Sequence, residues 1–385
     1  MVDRVRSPPG CDALPRQDAL REHRGHAATT EALQPRRRHD HRDDMSTETQ
    51  ELLRGYVTQV VEPLLQARFP ELRYAIGRLG SGSDVLGLDD ATSRDHDWGL
   101  RLTLLVPDGL PRVVAEELDR ALPDSFGGLP TRFATTGSTT VQHQVHVATV
   151  PQFLRGGLGF DPLDGIGVTD WLSLSGQAVL EVVAGPVFAD RTGEIGAARA
   201  ALAWYPDDVW CHVLACDWLR IAQELPAVGR AADVGDDLGS RVVTARLVQV
   251  LMHLAFLLDQ RWAPWAKWFG TAFARLPLAA RLAPALDAAL RGAGREDRQH
   301  ALAAALDVLV ARHRELGLTD VARAAVPFWD RPHLHPDPAI AAQLLDRVVD
   351  PAVRALPTGR GSVEQRTSNV DVLLDPAARR ASVAR

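Results

Sequence analysis

From about residue 168 onward, apolar residues recur every three to four positions, and strand-like alternation fades. Alanine- and leucine-rich stretches at 196–224, 238–260, 264–290, 296–316 and 338–356 carry this helical period. Glycine and proline interrupt it at 226–229, 292–294 and 332–338, which predicts separate helices joined by turns. A chain so patterned has to bury several amphipathic faces against one another, and a helical bundle does that. No fixed-period repeat is present, so a solenoid is not expected.

The preceding part reads differently. Ser46 or Thr47 caps a helix with Glu48 and Glu51 in its first turn, continued by Leu52, Leu53, Val57, Val60, Val61, Leu64 and Leu65. Pro63 is expected to kink it. "RYAIGRL" (73–79) and "WGLRLTLLVP" (98–107) read as strands, 111–122 as a helix, and "TRFATTG" and "TTVQHQVHVATV" as further strands. The expected fold class is therefore α+β: a small mixed-sheet domain with flanking helices, 45–168, then a helical domain, 169–360, and a C-terminal segment, 361–385. Residues 1–44 are charged, proline-bearing and poor in large apolar side chains, and read as a solvated tail, with Met45 as a fresh start. His39 and His41 belong to that tail rather than to a metal site.

Bulk properties narrow the function classes. With 43 basic and 49 acidic residues, the net charge of −6 provides no global field for a long nucleic acid. Three cysteines (Cys11, Cys211 and Cys216) describe neither a disulfide framework nor a zinc site. No apolar run reads as a membrane span and no secretory h-region is visible, so a cytoplasmic location without membrane partners is expected.

The chemistry concentrates in "GSGSDVLGLDDATSRDHDWG" (80–99). Gly80, Ser81, Gly82 and Ser83 follow a predicted strand; glycines let backbone N–H groups approach an anion closely. The stretch is neither a Walker loop nor GxGxxG. Asp95 and Asp97, two apart on an extended segment, share a face and together suit a hard divalent cation such as Mg²⁺.

Gly-Ser followed by an Asp-x-Asp pair entering a strand resembles the nucleotidyltransferase superfamily. The same stretch, with "TDWLSL", "AGPVFAD", "YPDDVW", "WAPWAKWFGTAF" and "GSVEQRTSNVDVL", looks more specifically like the domain of unknown function 4037 (DUF4037) family, over about 75–373. The resemblance implies a nucleotidyltransferase-like fold with a helical C-terminal half similar to that of the aminoglycoside nucleotidyltransferases. It implies Gly80 and Ser81 on the β/γ-phosphates of a nucleoside triphosphate, and one or two Mg²⁺ ions on Asp95 and Asp97. The activity implied is transfer of a nucleoside monophosphate to a hydroxyl of an unidentified acceptor.

One departure stands out. Where a third carboxylate is expected on the later strand, "VQHQVHVAT" has His146, and a neutral imidazole suits Mg²⁺ poorly. Two further readings therefore stay open: a nucleotide-binding regulator without chemistry, and a partner-binding module of the toxin–antitoxin type. His143 and His146 on one strand would face opposite sides, which argues against zinc. Glu181 is either a general base for the attacking hydroxyl or the exposed face of a helix or edge strand. Lys267, among Trp262, Trp265 and Trp268, either reaches the triphosphate from the helical half or snorkels from a core stripe. Arg230 and Asp236-Asp237 fall in a predicted interhelical loop, for a second substrate or for helix capping.

Overall fold

Apolar residues at four-residue spacing open the fold: Leu53, Val57, Val61 and Leu65 are buried on one face of a helical run. That run is α1 (Thr47–Tyr56), a π-helical turn (Val57–Val61) and α2 (Glu62–Arg68). Pro63 sits in the first turn of α2, where its missing N–H costs little, and the wider π turn precedes it in place of a break. The computed structural model describes residues 47–88, 99–135 and 138–384.

The central sheet has the order β7-β2-β1-β8. Strand β1 (Ala75–Gly77) runs antiparallel to β2 (Leu102–Leu105) and leads away from α2. Helix α3 (Pro111–Ala121), a short hairpin of β3 (Ser125–Phe126) and β4 (Leu129–Pro130), and the hairpin β5 (Arg132–Thr135)–β6 (Ser138–His143) come next. Strand β7 (Val145–Ala148) then lies parallel to β2, pairing Leu102 with Val145 and Thr103 with His146. The strands alternate as the pleat requires. Tyr74, Ile76, Leu102, Leu104 and Val145 pack with α1 and α3 in one core, while Ala75, Leu105 and Ala148 join the helical core on the other face.

Past residue 148 come α4 (Val150–Leu158), α5 (Val168–Ser173), α6 (Gly176–Val183) and β8 (Val187–Asp190). Strand β8 pairs antiparallel with β1, so the sheet takes one edge strand from sequence beyond residue 168. The cause is local: a Cβ on Gly77 would lie 2.6 Å from the Pro186 carbonyl, so glycine lets the two chains meet at a bulge. Asp190 ends the strand, its carboxylate accepting from the N–H groups of Gly193 and Gly196 at 2.8 and 2.9 Å.

Helices α7 (Glu194–Ala201), α8 (Asp207–Asp233), α9 (Asp237–Leu258), α10 (Ala266–Phe273), α11 (Ala279–Arg291) and α12 (Arg295–Glu315) form the bundle. Helix α9 is long and apolar enough to cross a membrane by length and composition, yet 56% of its most apolar window is buried against the rest of the fold. The expected tryptophan stripe is not helical. Trp262 lies ahead of α10 in an aromatic cluster with Trp204 and Tyr205, Trp265 occupies the helix N-cap, and only Trp268 is inside α10. Residues 325–336, read partly as a turn, form a hairpin of β9 (Ala325–Phe328) and β10 (Arg331–Pro336). Cys211 and Cys216 are free and buried. The chain closes with α13 (Pro338–Asp346), α14 (Pro351–Arg354), α15 (Val363–Arg366), α16 (Val370–Leu374) and α17 (Pro376–Val383). The fold is α+β, a mixed sheet with a helical region, as the patterning implies.

Candidate functional site

The segment after β1 is shaped by one arginine. Arg78 is only 2% exposed. Its guanidinium grips both carboxylate oxygens of Asp84, 2.7 Å from Oδ1, and donates to the carbonyls of Leu79 (2.9 Å) and Ser81 (2.7 Å). Thr103 Oγ1 donates to the same Leu79 carbonyl at 3.1 Å, and the Gly80 N–H donates to the Glu181 carbonyl at 2.7 Å. A planar five-donor group satisfies carboxylate and carbonyls together, which a point-charged lysine cannot do. Gly80 and Gly82 have φ of +87° and +146°. At Gly82 a Cβ would lie 2.1 Å from Asp84 Oδ1, so glycine there is what allows the Arg78–Asp84 pair.

This bend opens on a cleft of about 920 Å³. Gly80 and Ser81 line it; Gly82 backs onto Arg78, and the Ser83 carbonyl closes a turn by accepting from Leu86 and Leu88 N–H groups. Arg101 and Thr103 of the β2 segment, His146 of β7 and Glu181 of α6 complete the inner wall. His143 and His146 lie on two different strands, because the ladder breaks at Gln144, and both line the cleft. The expectation of one strand carrying both histidines is thus corrected. Burial lowers the pKa of both, which keeps them neutral near pH 7.

Glu181 is the notable carboxylate. Burial pushes its pKa up, opposed by a 3.1 Å hydrogen bond from Gln177 and by the charges of Arg379, Arg78 and Arg101. A carboxyl shifted toward neutrality beside a polar cleft suits proton acceptance.

Asp95 and Asp97 lie outside the described residues. Lys267 is exposed on α10 with its Nζ 4.7 Å above the Trp268 ring, and it does not line the cleft. Arg230 is exposed in the last turn of α8, not in a loop, and also lies off the cleft. Asp236 takes the capping role, accepting from Gly239 N–H at 2.7 Å. Sequence reasoning missed Arg78, whose signal was an arginine in an otherwise apolar strand end six residues ahead of an aspartate.

Among the described residues, no group of three or more His, Cys, Asp or Glu side chains is arranged to hold a metal.

Residues 171–269 match the family model described as "Domain of unknown function (DUF4037)", which covers the end of α5, α6, β8 and the bundle through the first half of α10. Among solved structures, the chain is similar to a nucleotidyltransferase-like protein from Exiguobacterium sibiricum 255-15. The identity is 14%, the TM-score 0.32, and the likeness covers 70% of this chain and 82% of that one. No curated protein matches the chain. At that TM-score the likeness is loose, and the cleft has to be read from its own residues.

Proposed function

We propose that the cleft binds the phosphates of a nucleoside triphosphate and transfers its nucleoside monophosphate to a hydroxyl acceptor, with Mg²⁺ on Asp95 and Asp97. One observation carries this reading: the Gly80–Ser81 bend and the burial-shifted Glu181 share a single polar cleft. Ser81, exposed and next to Gly80, whose φ is positive, presents its hydroxyl to an anion. Arg101 adds positive charge on the same wall. Glu181 takes the proton of the attacking hydroxyl. Bound Mg²⁺ would supply charge neutralisation for the triphosphate and the leaving pyrophosphate.

The test is calorimetry with the four nucleotides and Mg²⁺, paired with a pyrophosphate-release assay over pooled metabolites. Wild-type protein should bind at least one nucleotide only with Mg²⁺, and Asp95→Asn/Asp97→Asn should lose that binding. Unchanged affinity in the double variant rejects the reading. Glu181→Gln should keep nucleotide affinity and lower pyrophosphate release about a hundredfold or more. In the wild type, release should rise with pH through a pKa above the ordinary 4.5 of a glutamate, because only the ionised form accepts a proton.

His146 at the cleft wall, beside Thr103 on β2, favours a second reading: nucleotide binding without transfer. Saturable nucleotide binding with no pyrophosphate release from any pool would select it.

A further inference from the structure

A second cavity, of about 330 Å³, lies within the helical half. Two stretches that the cleft leaves unused converge on it: "WAPWAKWFGTAF" supplies Trp265 and Phe269, and "GSVEQRTSNVDVL" supplies Glu364, Thr367 and Ser368. Asp217 of α8 and His253 of α9 complete its polar side. Close approach makes this possible, since a Cβ on Gly176 would lie 2.1 Å from the Ala263 carbonyl.

The polar groups are half used. Asp217, with a side chain 2% exposed, holds Nδ1 of His253 at 2.6 Å. Glu364 accepts the Gly176 N–H through Oε1 at 3.0 Å. Among the described residues, His253 Nε2 and Glu364 Oε2 have no hydrogen-bond partner. The Trp265 indole N–H is shielded from solvent and also lacks an acceptor. Arg220 is committed to Glu224 at 3.1 Å.

This set discriminates by chemistry. Two carboxylates disfavour an anion. A histidine held by an aspartate, with Arg220 on the same wall, disfavours a cation. A hydroxyl donates to Glu364, and it both donates and accepts, so it pairs with His253 Nε2 whether that nitrogen carries a proton or not. The aromatic and aliphatic wall suits the C–H faces of a small ring, and the volume falls at the low end of small-ligand pockets. We infer that this pocket binds a neutral, hydroxyl-rich ligand of monosaccharide size, through Glu364 and His253 with Trp265 and Phe269 as its apolar wall.

The pocket is distinct from the cleft, although two successive residues of α6 serve one each: Gly176 donates to Glu364 and Gln177 to Glu181. The inference does not rest on the nucleotide reading, and its test uses no nucleotide. Full-length protein is titrated with myo-inositol, D-glucose and D-ribose by calorimetry and saturation-transfer NMR, with cyclohexylamine and cyclohexanecarboxylate as charged probes. At least one polyol should bind saturably and more tightly than either charged probe. Glu364→Gln, which keeps an acceptor for Gly176, should weaken that binding at least fivefold. Independently of any variant's folding, polyol should shift the Trp265 indole resonance, identified by its loss in Trp265→Phe. The inference is overturned if none of the three polyols binds, if a charged probe binds better, if folded Glu364→Gln binds as the wild type does, or if polyol binding leaves the Trp265 resonance unmoved.

Discussion

The cleft beside the sheet and the pocket inside the bundle are built in different ways. The cleft rests on backbone: a short bend with two glycines at positive φ, pinned by one internal arginine and by the carbonyl of Glu181. The pocket rests on side chains brought from α8, α9, the start of α10 and α15, the first and last of them more than a hundred residues apart. A backbone site depends on a few local interactions and fails sharply when one is lost. A side-chain site depends on helix docking and is modified piece by piece.

The largest expected effect breaks the cleft. Arg78→Met leaves Asp84 and the Ser81 carbonyl without their donor, and should cost about 3 kcal/mol or more in urea unfolding. The same change should abolish anion binding at Gly80–Ser81 while any polyol binding in still-folded protein persists. If stability falls by less than about 1 kcal/mol, the arginine does not hold the bend.

Next comes the bundle. His313 accepts from Trp218 Nε1 at 2.9 Å, and burial lowers its pKa from 6.5 to about 3. A depressed histidine pKa means the folded state favours the neutral ring. Its contribution is present above pH 6.5 and is lost as pH falls toward 3. Between pH 7 and pH 4.5 the loss should be about 2–3 kcal/mol. His313→Gln, which can still accept from Trp218, should flatten that part of the stability–pH curve. An unchanged slope would remove His313 as the cause.

Gly82→Ala forces a side chain onto the Arg78–Asp84 pair at a φ of +146°, and should cost about 2 kcal/mol with weaker anion binding. The equivalent test in the pocket is Glu364→Gln, described above, with a smaller effect on stability. Smallest of all, Lys267→Ala and Arg230→Ala should change stability by less than about 1 kcal/mol and nucleotide affinity by less than about twofold, since both side chains are exposed and off the cleft. A tenfold loss in either would return that residue to the site.

The glycine-serine bend was readable because its chemistry is local: strand, glycine and serine follow one another in the sequence, and the conformation they allow follows from having no Cβ. The same holds for the α1 helix, the β2 strand and the capping of α9 by Asp236. Strand β8 was hidden because four residues in a helical context become a strand only when β1 offers an edge and Gly77 lets the chains touch. Glu181 is visible as an acid in an apolar run, but its place on the cleft wall depends on α6 docking beside the bend.

Periodicity and residue chemistry along the chain determined by themselves that this protein has a mixed sheet followed by helices, and where a glycine-serine bend lies. Only the tertiary structure decided that Arg78 braces that bend, that Lys267 and Arg230 stand apart from it, and that Asp217, His253 and Glu364 meet. The physical reason is range. Backbone conformation is set by neighbours in sequence, whereas burial and the company of a charged group are set by which helices pack together.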